Sequence, residues 1–335
     1  MQSPLVSVII PTYNRASKVM TAVESVMGQT YPLIQLIVVD DGSVDQTRDL
    51  LTQVDGITYV YQKNAGQAAA RNTGLKFAKG ELIASLDSDD KWAPDFLEKC
   101  VQALNQFDVD FVFTNWHQRS KAATDDWEDF FSGYRYLKPF YRGNEKGFVT
   151  LNARDLRRLY LQACPSPSSS ALIKRSSMVS GWNHRLNIGD DWGMYLDMIM
   201  TKPTRAAFTL EKLWYKDIDG QNVFDGRQRI EVVKLLLIDD TKTLLDQYRD
   251  KLDTDEKKLL ERQYVEGLVE LGKHVLIREG KIAKARRLFM EAFSLSAIHS
   301  MISLCKLTKT AFEHHYPNIK RRLRIIGQPV AVSKD

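Results

Sequence analysis

Short apolar runs alternate with amphipathic stretches through the first 115 residues. The runs are "LVSVII" (5–10), "IQLIVV" (34–39), "ITYVY" (57–61), "ELIASL" (81–86) and "VDFVF" (109–113). Each is rich in Val and Ile or bounded by turn residues, and each predicts a strand. The stretches between them carry a helical period. Residues 15–28 place Val19, Val23 and Val26 on one face, and residues 44–53 turn Leu50 and Leu51 inward. Residues 66–79 predict an Ala-rich helix, and Pro94 sits just inside another, "APDFLEKCVQALNQF". Strand–helix alternation at this spacing predicts βαβ units, an α/β fold with a Rossmann-like, mostly parallel sheet. Continuous apolar runs fit strands covered on both faces.

Ligands of such open sheets bind beyond the carboxyl ends of the strands. The segments there are "PTYNR" (11–15), "DDGS" (40–43), "QKNAG" (62–66), "DSDD" (87–90) and "TNW" (114–116), all polar. The fourth packs Asp87, Asp89 and Asp90 together, which costs stability unless a cation or water meets them. In an extended segment side chains i and i+2 point the same way, so Asp87 and Asp89 converge and Ser88 turns aside.

Further along the pattern changes. Residues 116–165 are aromatic and charged without a clear period, as in a loop or lid. "CPSPSSSALIKRSSM" (164–178) reads as a loop, a short strand and a turn, and "IGDDWGMYLDMIM" (188–200) begins a helix near Asp190 or Asp191. From about 228 to 313 the chain is amphipathic and helical, and "EGKIAKARRLFMEAF" is similar to half of a tetratricopeptide hairpin without a repeating period. The expected organisation is 1–225, divided at 115/116 where the strand–helix alternation stops, then a helical region (226–335).

Charge adds one feature. Residues 1–115 carry 9 Lys+Arg against 14 Asp+Glu, a net of −5; the whole chain is +5, so the remainder is +10. The excess therefore lies off the motif-bearing half, which excludes nucleic acid as the expected partner. Part of it is "NIKRRLRIIG" (318–327), a basic run interleaved with apolar residues that suits an anionic membrane surface as well as a solvated helix. The three cysteines, Cys100, Cys164 and Cys305, are far apart and odd in number, which argues against a disulfide framework. With no signal-peptide or membrane-spanning pattern, the expected location is cytoplasmic, with peripheral membrane contact through the basic segment.

"VSVIIPTYNR", "LIVVDDGSVDQT", "NAGQAAARNTGL", "GELIASLDSDDKW", "SPSSSALIKRSSMVSGWNHRL" and "GDDWGMYLDM", in this order, resemble the inverting family 2 glycosyltransferases of GT-A fold, over roughly residues 5–220. The resemblance implies a metal-dependent transfer of a sugar from a nucleotide sugar, UDP-linked by expectation, to a hydroxyl of a glycan or lipid-linked acceptor in cell-surface polysaccharide synthesis. It implies a nucleotide-binding half at 1–115 and an acceptor half at 116–225. It implies that Asp87 approaches the ribose and Asp89 holds Mn²⁺ or Mg²⁺, with Asp87 a further metal candidate. Ser88 joins the nucleotide-side residues. Pro11, Thr12 and Tyr13 flank the base, Asp41 accepts from a uracil N–H, with Asp40 the alternative, and Arg71 lies near the phosphates. Asp191 is the expected catalytic base, and Asp190 contacts the acceptor or orients the base. Without any ligand, an acid at a helix start is also a plain cap. Trp192 stacks on an acceptor sugar or belongs to the core. The Tyr-Arg-x-His segment common in relatives is here "LWYKDIDGQN" (213–222), with Tyr215 and Lys216 but no His. Two other classes stand beside this reading. One is a sugar nucleotidyltransferase, although "PTYNRAS" lacks its glycines; the other is an inactive nucleotide-binding scaffold whose helices recruit partners.

Overall fold

The computed structural model describes residues 3–120, 128–129, 131, 134–141, 147–218 and 227–315. The strands are β1 Val6–Thr12, β2 Ile34–Asp40, β3 Ile57–Tyr61, β4 Leu82–Ser85, β5 Asp90–Trp92, β6 Phe111–Ser120, β7 Glu128–Asp129, β8 Phe148–Leu151, β9 Ala171–Lys174 and β10 Ala206–Ile218. They form one sheet in the order β3-β2-β1-β4-β9-β6-β10-β5, with β7 beside β6 and β8 beside β10.

β1 is parallel to β2 and β4, and β2 to β3. β9 opposes both β4 and β6, so β6 runs with β4, and β10 is parallel to β6. The main sheet is thus mostly parallel, with β9 reversed inside it and β5 reversed at the edge. Four of the expected strands match within a residue or two. β6 runs on from the expected fifth through Ser120, while β10 had not been expected. Register shifts between Thr209 and Trp214 bend β10 and deliver Lys216 opposite Asp90 of β5. Pro11 is accommodated in β1 because the β4 partner ends at the Ile9–Ser85 pairing, before the missing N–H would matter.

Helices cover the sheet: α1 Val19–Met27, α2 Thr47–Leu51, α3 Gln67–Phe77, α4 Phe96–Phe107, the short α5 Lys138–Tyr141, α6 Ala153–Tyr160 and α7 Asp190–Thr201. Val19, Val23 and Val26 are buried as expected. Leu50 is not: it is 38% exposed while Leu51 is buried, because neighbours in a helix point about 100° apart and α2 has one buried side. The segment that read as aperiodic holds α6, whose cap Asn152 accepts the Asp155 N–H at 3.0 Å. Aromatic side chains fill the layer between β6, β10 and α7: Phe111 and Tyr195 centroids lie 4.9 Å apart, those of Phe113 and Phe208 5.3 Å. Trp192 belongs to this core; it is buried and its indole N–H donates to the Tyr160 carbonyl at 2.7 Å, so the sugar-stacking role is corrected.

Next come α8 Arg229–Val232, a π-helical turn Val233–Asp240, α9 Thr241–Gln247, α10 Thr254–Arg278, α11 Ile282–Leu295 and α12 Ala297–His315. The chain divides into two compact units, residues 1–260 and 261–335, well past the expected boundary at 225/226. In the second unit Gly272 lets the Phe289 ring approach α10, where a Cβ would meet the ring at 2.8 Å. All three cysteines are free. The basic run 318–327, residues 219–222 of the "LWYKDIDGQN" stretch and parts of 116–165 lie outside the described residues.

Candidate active site

At the carboxyl ends of β1 and β2 two loops are tied together. Asn14, in the left-handed region at φ 51°, donates its N–H to Ser43 Oγ and accepts from the Val44 N–H, both at 2.9 Å. Pro11 and Thr12 are buried and Tyr13 is half-exposed beside them, so only Tyr13 offers a broad open face. Asp40 is buried and holds the turn: it accepts the Ser43 N–H and the Tyr59 hydroxyl, each at 2.8 Å. Asp41 is buried too and receives Gln62 Nε2 (2.6 Å), the Ala65 N–H (2.9 Å) and the Gly66 N–H (2.8 Å). Gly66 caps α3, so this carboxylate stabilises the positive end of that helix.

α3 carries the centre of the site. Gly74 packs against Ile9 and Val39, where a Cβ would meet Ile9 at 2.5 Å. That close approach seats the helix on the sheet. Gln67 and Arg71, four residues apart, then lie on one face. Arg71 is 3% exposed and is no surface salt bridge. One guanidinium nitrogen meets Asp190 at 2.7 Å, the other Asp87, and the group lies 5.9 Å from the Trp182 ring. Gln67 Nε2 donates to the other Asp190 oxygen at 3.0 Å. Burial opposes the charge on Arg71, but Asp87, Asp190 and Asp191 outweigh it and its pKa is raised.

The "DSDD" segment is a tight turn rather than an extended strand, with the Asp90 N–H donating to the Asp87 carbonyl at 3.0 Å. The turn gathers three acids instead of two: carboxylate oxygens of Asp87, Asp89 and Asp90 lie within 4.8 Å of one another. Ser88 is buried between them. Asp89 pairs with Arg15 at 3.4 Å. Asp90 accepts Ser169 Oγ at 2.7 Å through one oxygen, while its other oxygen is buried without a hydrogen-bond partner. Burial raises the Asp89 carboxyl pKa, with Asp87 adding to it. Burial, then Asp87 and Asp89, raises that of Asp90 well above the ordinary range. An unpartnered buried oxygen beside two more carboxylates suits a hard divalent cation, which takes oxygen ligands and relieves their mutual repulsion.

Asp190 and Asp191 open α7. Asp190 is 2% exposed; burial raises its pKa and Arg71 opposes the rise. Asp191 is half-buried, accepting the Ser168 N–H at 3.2 Å and the Trp192 N–H at 2.7 Å. Burial and then Asp190 push its carboxyl up to about 7. Arg71 thus brings Asp87 and Asp190 together, and Asp191 adjoins them. The structure adds residues the sequence reading passed over. They are Arg15, Gln67, Ser169, Trp182 and Asn72, whose side-chain amide donates to the Trp182 carbonyl at 2.7 Å and accepts the Trp182 N–H at 2.8 Å. The polar Gln67–Arg71–Asn72 run in an Ala-rich helix was the available signal. Tyr215 stacks on His117 at 4.9 Å with Lys91 5.0 Å from its ring, and the Lys216 charge acts on Asp90.

Known proteins resemble this chain in sequence over its first part and in fold. Over 126 residues the chain is 42% identical to the Bacillus subtilis "Putative teichuronic acid biosynthesis glycosyltransferase TuaG", covering 36% of this chain and 50% of that one. Over 125 residues it is 37% identical to Streptococcus pneumoniae "Glycosyltransferase GlyG", covering 36% and 42%. The match thus spans about half the length of these relatives. Among solved structures, S. aureus TarS 1–349 superposes with a TM-score of 0.57 at 15% identity, over 91% of this chain and 92% of that one. The Pyrobaculum calidifontis mannosyltransferase PcManGT, solved with GDP-Man and Mn²⁺, superposes with 0.56 at 20% identity, over 93% and 81%. These likenesses establish the GT-A fold. Residues 7–163 match the profile of "Glycosyl transferase family 2", so the chain carries a family 2 glycosyltransferase domain over those residues.

Proposed function

We propose that the protein is an inverting, metal-dependent glycosyltransferase acting on a nucleotide sugar, UDP-linked by preference, in cell-surface polysaccharide synthesis. The observation that carries this reading is the buried Arg71 bridge between Asp87 and Asp190, which makes the acid cluster and the acid pair one site. TarS has been solved with UDP and with UDP-GlcNAc, which supports a nucleotide-sugar donor of this kind. Tyr13 and the Asp41 region receive the base, and Asp87 with Ser88 the ribose side. Asp87, Asp89 and Asp90 have the donor set for Mn²⁺ or Mg²⁺; bound there, the ion offsets the charge of the diphosphate. Asp191 is the base. The acceptor hydroxyl forms a bond to the anomeric carbon while the bond from that carbon to the diphosphate oxygen breaks, and the hydroxyl proton passes to Asp191. A carboxyl held near 7 by burial is matched to that task. Asp190, tied to Gln67 and Arg71, orients the pair.

The acceptor is a hydroxyl of a glycan or lipid-linked oligosaccharide, met by the 116–225 half. None of the described helices is long and apolar enough to cross a membrane. Contact with an anionic bilayer would be peripheral, through the basic segment 318–327 and exposed apolar positions such as Ile282 (71%) and Ile298 (73%).

Calorimetry with UDP, with and without Mn²⁺, tests the core of the proposal. The intact chain should bind more tightly with metal, and Asp89→Ala should lose that gain. If no nucleoside diphosphate binds with metal present, the proposal falls and a scaffold function replaces it.

A further inference from the structure

Asp240 lies far along the chain from the acid pair, in the helical stretch after β10, yet it grips the backbone that leads into that pair. It is fully buried and ends the π-helical turn Val233–Asp240. One carboxylate oxygen accepts the Asn187 N–H at 2.7 Å and Asn187 Nδ2 at 2.9 Å; the other accepts the Ile188 and Gly189 N–H groups, both at 2.9 Å. Gly189 is the cap of α7 and has no side chain with which to bond the first turn. Asp240 therefore satisfies the backbone donors of the loop that enters α7, ahead of the helix's own first turn. A Cβ on Gly189 would meet Leu236 of the same turn at 3.3 Å, so the seat is closed on two sides. A second set of bonds holds the next turns of α7: the Tyr248 hydroxyl donates to Asp197 at 2.7 Å and Gln247 Nε2 to the same oxygen at 2.9 Å. Wide π turns cluster where a helix must aim one side chain off its regular track, and here that side chain is a carboxylate with four donors.

We propose that Asp240 is a positioning residue for sugar transfer. It fixes the Asn187–Gly189 backbone so that Asp190 meets Arg71 and Asp191 faces the acceptor. The inference rests on Asp191 as base, and no group of Asp240 touches substrate. Asn is nearly isosteric with Asp, but its amide nitrogen cannot accept, so whichever way it turns either Asn187 or the Ile188–Gly189 pair loses its acceptor, and Asp240→Asn loosens the loop while leaving the packing.

Three readouts on the full chain decide the matter. Hydrogen exchange of the Asn187 amide, or of the Ile188 and Gly189 amides together, should rise at least about tenfold in Asp240→Asn, with β1–β4 unchanged. UDP binding with Mn²⁺ should stay within about twofold. Release of the nucleoside diphosphate (UDP or GDP) from a panel of UDP-glucose, UDP-GlcNAc and GDP-mannose, with water as acceptor, should fall on the order of 10- to 100-fold for whichever the intact chain turns over. Where none is turned over, the Asp191 titration followed by carboxyl NMR replaces it, and its midpoint should fall by at least about one pH unit. Unchanged exchange, or unchanged turnover and titration, overturns the proposal. Loss of UDP binding in step with turnover also overturns it, since that is general damage. If Asp240→Asn fails to fold, Asn187→Ala removes one of the four donors without touching the carboxylate; it should raise exchange and lower turnover about threefold, and no change in either overturns the proposal. Asp191→Ala is run in parallel. If it leaves turnover intact the base assignment fails, while the exchange result still decides what Asp240 holds.

Discussion

Two Asp-Asp pairs sit at the edge of the same sheet, and their surroundings differ. Asp40 and Asp41 are met by neutral donors only: two backbone N–H groups of the β3–α3 loop, the Ser43 N–H, a tyrosine hydroxyl and a glutamine amide. Asp190 and Asp191 are met by one buried guanidinium, one amide side chain and two backbone N–H groups, with other carboxylates close by. The first pair spends its lone pairs on holding loops. The second crowds negative charge into a buried place and keeps one carboxyl near 7. An identical dipeptide therefore becomes a brace or a base according to what faces it.

The sharpest way to break this contrast is to remove the base. Asp191→Asn should lower sugar transfer on the order of 10³-fold, within the range for general-base loss, while UDP affinity in calorimetry changes little. Equal losses of transfer and affinity would erase the distinction between the pairs. Next in size is Arg71→Met, which leaves Asp190 buried without its cation. Urea unfolding should show a loss of about 3–5 kcal/mol, the cost typical of a broken buried pair. Asp41→Asn places an NH₂ group against the Ala65 or Gly66 N–H and should cost about 1–3 kcal/mol in the same measurement, with α3 the first element to loosen in hydrogen exchange. Tyr59→Phe leaves an Asp40 oxygen short of one donor and should cost about 1 kcal/mol.

pH separates the pairs without mutation. The Asp191 carboxyl is raised from 3.8 to about 7, so the folded state holds a proton that the unfolded chain releases earlier. Its contribution to stability is present below about 4 and is lost as pH rises through about 7. Transfer should move the other way, rising with pH through about 7 as the base form appears. Urea midpoints at pH 5 and 8 should show the stability slope, and Asp191→Asn should flatten it.

Much of the nucleotide half was legible because its signals are local. Apolar runs of one width, turn residues after each, and a short acidic turn are all readable within ten residues. The convergence of Asp87 and Asp89 was expected from an extended segment; a turn produces it and adds Asp90, because the chain reverses into β5 there. What stayed hidden depends on partners far away in sequence. Arg71 was expected near the phosphates, but nothing in its own stretch showed that it joins acids from two distant segments. The half-exposed face of Leu50 is another such case, since the side a short helix buries is decided by what packs on it. Strand β10 escaped notice because its residues pair with β6 throughout but with β8 before the register shifts and β5 after them, so no single alternation runs along it.

The compact first unit ends at Leu260, so the helices bearing Asp240 and Tyr248 fall within it. This changes where the chain can be cut or exchanged. A chimera joined after residue 225 would carry the acids at 87–90 and 190–191 but not the carboxylate that seats the second set, and would keep nucleotide affinity with little turnover. A graft made past Leu260 would carry the machinery whole.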